Sequence, residues 1–184
     1  MKVRAFYFRW AWTTLAAIAT FAVLAVVDLK LKAETGYGTV DLQKVATAEG
    51  VRAIVSAWHT PRAAAMAGFN LGFDYLFMPL YGFAFYYGTL AARNAFAPKG
   101  GAFRIVTLLA AVPLAGAIFD CVENTLETIM FVGAATDPLA TAAYTATTSK
   151  MICFYVGAAM SLLGLAGLLR RKKKPAGNDG SPPA

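Results

Sequence analysis

Asp120, Glu123, Asn124 and Glu127 stand at spacing i, i+3, i+4 and i+7, so in a helix all four project from one side. They sit inside an otherwise apolar stretch, where each acid facing lipid would cost roughly 2.5–3.5 kcal/mol on insertion scales. That side must therefore face other helices or a wet cavity. Carboxylates crowded on one face repel, so a proton or a cation is expected among them. Asn70 and Asp74, at i and i+4 in another apolar stretch, supply a facing pair. Counting inward at the helical rise from outer boundaries near Ala67 and Val132 puts Asp74 ~10 Å deep and Glu123 ~13 Å deep, close enough in level to meet. A fourth apolar stretch offers Lys150 at its outer rim, with a stem long enough to reach Glu127, and Tyr155. The chemistry expected of such a set is the holding of a proton, a cation, or a small amine or lipid ligand. A purely structural hydrogen-bond network between helices is the competing reading.

These side chains require membrane-spanning helices to position them. The chain has 184 residues, 58% of them hydrophobic, and a mean hydropathy of +0.54. Soluble domains lie near roughly 45–50% apolar. Four stretches reach the roughly 20 apolar residues that a span needs, at about 10–28, 65–92, 105–132 and 150–169. The expectation is an all-α, integral-membrane four-helix bundle forming one domain over 1–169, followed by a basic, disordered tail over 170–184. The run 10–27 carries no charge and exceeds the roughly 7–15 residues of a signal-peptide core, so it reads as a retained helix.

The net charge of +7 raises nucleic acid as a partner, but the basic residues cluster beside apolar stretches instead of covering a face. Lys2, Arg4, Arg9, Arg93, Lys99, Arg104 and the run Arg170–Lys174 fall on one side. Lys30, Lys32, Lys44, Arg52, Arg62 and Lys150 fall on the other, offset there by Asp28, Glu34, Asp41, Glu49 and Asp137. That asymmetry predicts both termini in the cytoplasm, and the composition suggests a bacterial inner membrane. Between the first two spans, Gly36-Tyr37-Gly38 reads as a turn and Thr47 as a cap. Val51, Ile54, Val55 and Trp58 form one apolar face of an amphipathic helix lying on the membrane surface or over the mouth of the bundle. Thr60-Pro61 restarts the chain into the second span.

Weaker signals point to packing. Gly68-x-x-x-Gly72 and the face Gly157, Ser161 and Gly164 permit close helix approach; Pro79 and Pro113 predict kinks. Cys121 and Cys153 lie at depths ~12 Å apart, too far for a bridge. His59 is the single histidine, so no metal set is offered, and no cofactor motif is present.

The stretches Ala53-Ile54-Val55-Ser56-Ala57-Trp58, Gly72-Phe73-Asp74-Tyr75-Leu76-Phe77 and Asp120-Cys121-Val122-Glu123-Asn124 give the chain a resemblance to a group of small bacterial four-helix membrane proteins, with no function attached to the group. The resemblance implies the architecture and the pairing of Asp74 with the acids of the third span, and no activity. A sterol-isomerase-like membrane enzyme is similar only in gross plan, and the histidine its active-site helix would carry is missing. Three functions follow as expectations: ligand or ion binding, extending to proton-linked transport; an accessory subunit docked on partner membrane proteins; and a lipid-modifying enzyme working with two carboxyls as acid and base, for which no nucleophile is in view.

Overall fold

The computed structural model describes residues 3–94 and 96–173, and among them every regular element is a helix. In chain order these are α1 (Val3–Thr35), α2 (Thr39–Leu42), α3 (Ala48–Ala57), α4 (Pro61–Arg93), α5 (Gly101–Leu109), α6 (Val112–Val132) and α7 (Asp137–Lys173). Three stretches, Arg4–Thr35, Gly101–Val132 and Asp137–Gly167, are long and apolar enough to cross a membrane, which marks the chain as a membrane protein. Tyrosines, Asn70, Asp74 and Pro79 dilute the apolar character of α4. α4 nonetheless occupies the centre, packing along α1, α6 and α7, while α6 also packs along α7. α1 makes its lateral contacts with α4.

Local chemistry explains the helix starts. Thr47 and Thr60 are extended, and their hydroxyls accept hydrogen bonds from the amides of Gly50 at 3.3 Å and Ala63 at 3.1 Å. Pro61 occupies the first turn of α4, where its missing N–H costs nothing. At the kink expected from Pro113 the helical hydrogen bonding is interrupted, with α5 ending at Leu109 and α6 beginning at Val112, while Ala110 and Ala111 keep helical backbone angles. Proline can neither donate to the carbonyl four residues back nor leave room for it.

Several boundaries differ from the sequence expectation. α7 begins at Asp137, not near 150, because the threonine-rich stretch satisfies its hydroxyls on its own helix. Thr145, Thr147 and Thr148 donate to the carbonyls of Thr141, Ala143 and Tyr144, so polarity there does not interrupt the helix. α7 also continues through Lys173, past the expected start of the tail at 170; residues 174–184 lie outside the described residues.

The amphipathic helix forms as α3, and its apolar face packs over the bundle, the second of the two placements the sequence offers. Val51, Ile54 and Trp58 are buried in one cluster with Leu31, Ala63, Ala67, Met130, Ala140 and Ala143. The early start of α7 and the late end of α1 supply walls that the shorter spans lacked. Asp137 ties the joint by accepting from the Ala48 amide at 2.7 Å, and Arg52 donates to the Ala135 carbonyl at 3.2 Å.

Close helix approach occurs on α7, not at the Gly68 pair. A Cβ on Gly72 would meet nothing within 4 Å, and one on Gly68 would touch only Phe131, at 3.7 Å. A Cβ on Gly164 would lie 2.5 Å from the Gly88 carbonyl oxygen, a backbone atom that cannot step aside. Gly164→Val is therefore expected to pry α4 from α7 and to lower stability by about 1–3 kcal/mol, read as an earlier midpoint in a denaturing-detergent titration. Gly72→Ala should leave that midpoint in place.

Candidate functional site

The acid-bearing face of α6 turns inward. Asp120, Glu123, Asn124 and Glu127 are all nearly inaccessible, at 3%, 0%, 2% and 1% exposure. Asn124 donates to the Leu71 carbonyl of α4 at 2.6 Å, which fixes α6 against α4. Lys150, 8% exposed, reaches in from α7 and donates to Asp120 Oδ1 and Glu123 Oε1, each at 2.8 Å. This corrects the expected pairing with Glu127. Because α7 starts so early, Lys150 lies well inside its helix instead of at the rim, level with Asp120 and Glu123.

Glu127 has neither carboxyl oxygen hydrogen-bonded, and both are buried. A bare anion in such surroundings would carry the full desolvation cost of its charge, so this group must hold a proton or share a cation. Glu123 Oε2 is likewise buried without a partner. Among the described residues, Lys150 is the one cation placed among Asp74, Asp120, Glu123 and Glu127, so the cluster is short of positive charge.

Beside the cluster lies a cavity of about 520 Å³, within the roughly 300–1,000 Å³ of small-ligand sites. Asn70 and Asp74 from α4, Asp120 and Asn124 from α6, and Lys150 from α7 form its polar end. Leu71, Phe77 and Tyr81 continue it along α4, and Met151 and Phe154 wall it from α7. Phe21, Leu24, Ala25 and Leu29 face them from α1. Glu123 and Glu127 stand behind the lining and do not reach it. Tyr155 borders the cavity while remaining 63% exposed, so it belongs to the rim and not to the acid cluster.

The cavity's cap is α2, not the expected amphipathic helix, no residue of which lines it. Thr39, Val40 and Gln43 close one end. Asp28 accepts from the Thr39 hydroxyl at 2.8 Å and from the Val40 amide at 3.2 Å. Its carboxylate fills the space above Gly38, where a Cβ would lie 2.5 Å from Asp28 Oδ1. Asn70 in turn donates to the Thr39 hydroxyl oxygen at 2.7 Å, so Asn70 links to the cap and not directly to the acids. Sequence reading missed Asp28 and Thr39 as site residues; an acid just inside the end of an apolar run was the available signal. At the outer edge of the cap, Asp41 binds Lys32 at 2.8 Å and Lys44 at 3.5 Å. Burial pushes the Asp41 carboxyl up, but the Lys32 and Gly38 hydrogen bonds and the two ammonium charges outweigh it and hold the group below the usual carboxylate range.

Two acceptors at the polar end are unclaimed. Asn70 Oδ1 is buried with no hydrogen-bond partner. Asp74, half-buried on the same face of α4, takes part in no hydrogen bond or ion pair among the described residues. Among those residues no group of three metal-ligating side chains converges, and Cys121 and Cys153 are both free thiols. No family model, curated protein or solved structure matches this chain.

Proposed function

We propose that the chain is a four-span inner-membrane protein, with both termini cytoplasmic, that binds a small cation of the primary-ammonium type at Asp74. The observation that carries this reading is the pairing of an unclaimed carboxylate, Asp74, with Asn70, whose buried Oδ1 has no hydrogen-bond partner, in two residues that both line the cavity. The resident cation, Lys150, is already held by Asp120 and Glu123. An ammonium carries three N–H donors and no acceptor, so it complements that wall, and an anion does not. Proton exchange within the Glu123–Glu127 pair offers a route for coupling binding to proton movement. Lysine's two bonds keep Asp120 and Glu123 as structural counter-charges, which leaves Asp74 as the residue to test.

Asp74→Asn removes one charge from a group that anchors nothing else. Binding of n-butylammonium, followed by titration calorimetry on purified protein, is expected to weaken by about 10-fold or more, the worth of a charge-assisted hydrogen bond. The unfolding midpoint should stay near that of the parent. Unchanged affinity in this variant would remove the proposal's basis.

A further inference from the structure

The cavity's shape narrows the class of ligand, an inference that rests on the ammonium-binding reading of Asp74. Most of its lining is apolar, with Phe77 and Phe154 on one side and Leu24 and Ala25 on the other, around the polar groups of Asp28, Asn70, Asp74 and Asp120. α1 packs on α4 and is not packed along α7 in the same way, so the cavity runs between α1 and α7 toward the lipid-facing surface. Its rim is exposed and apolar there. Phe21 and Leu29 of α1 are 57% and 67% exposed, and Tyr155 of α7 is 63% exposed.

From this geometry we infer that the ligand is a single-chain amphiphile with a primary ammonium head and a hydrocarbon tail, entering sideways from the bilayer between α1 and α7. The head meets Asp74, one helical turn from Asn70, and the tail lies between the α1 and α7 walls toward Phe21 and Tyr155. An aminophospholipid is the wrong chemistry. Its phosphate would sit beside Asp74 and Asp120, and Lys150, the one cation lining the cavity among the described residues, is already bound twice. Like charges in a low-dielectric cavity repel strongly. A primary amine without phosphate avoids that clash, and its tail replaces lipid contacts with protein contacts.

Native mass spectrometry of the full chain released from phosphatidylethanolamine-containing nanodiscs tests the inference by adduct mass. With decylamine, n-butylamine and decanol supplied at equal total concentration, decylamine is expected to occupy the protein at least about 10-fold more than n-butylamine, because its tail concentrates it at the rim. Decanol and phosphatidylethanolamine should give no retained adduct. Ala25→Trp, which fills the tail chamber from α1, should abolish the advantage of decylamine. Equal binding of the two amines, both lost in Asp74→Asn, would overturn the amphiphile and spare the ammonium site. Amine binding indifferent to Asp74→Asn would overturn both. Retained decanol or phosphatidylethanolamine would overturn the head-group assignment made here.

Discussion

Lys150→Met is expected to lower the unfolding free energy by about 3–5 kcal/mol, since it strips the counter-charge from buried acids while keeping the volume of the stem. Lys150 Nζ is 2.8 Å from both Asp120 and Glu123, and neither carboxylate has meaningful access to water. The penalty arises from the anions left behind more than from attraction lost. A variant that also carries Asp120→Asn and Glu123→Gln is therefore expected to recover most of the stability, because neutral side chains of similar shape need no ammonium. Denaturing-detergent titrations of the single and triple variants measure both. A Lys150→Met protein as stable as the parent would mean that the acids need no lysine to be tolerated.

Trp58→Ala is the second large change, also expected to cost about 3–5 kcal/mol. The indole is 2% exposed and packs edge-on against Phe131 with ring centres 5.8 Å apart. Its Nε1 donates to the Tyr37 carbonyl at 3.0 Å, just before the Gly38–Thr39 entry into α2. One side chain thus joins the α3 core to the turn that sets the cap. Loss of stability should be accompanied by weaker n-butylammonium binding, because Thr39 orients Asn70. Trp58→Phe is expected to restore most of the packing but not the Tyr37 bond. Comparing the two variants by the same titration and by calorimetry separates core from cap; full stability in Trp58→Ala would remove the joint assigned to this residue.

Periodicity made the inward face of α6 legible, because buried carboxyls at helical spacing leave one geometric option in an apolar medium. The caps at Thr47 and Thr60 were equally local and readable. Lys150 was misassigned because its depth depends on where α7 starts. That start depends on hydroxyls bonding back to their own helix, which lowers hydropathy without breaking structure. Asp28 looked like the polar end of a span, and only the fold of the Gly36–Gly38 turn carries Thr39 and Val40 back onto it. The four-residue α2 has no periodicity of its own to read. Asn70 and Asp74 were readable as sharing a face, whereas their division of labour, one partly spent on the cap and one unspent, depends on tertiary contacts.

The order of the chain gives the Lys150 ion pairs a consequence during synthesis. α6 leaves the ribosome before Lys150 does, so Asp120 and Glu123 reach the insertion machinery without the ammonium that balances them in the finished protein. Each such acid opposes transfer into hydrocarbon. Stable release of α6 into lipid is then expected to wait for α7, with the two helices partitioning as a hairpin instead of one after the other.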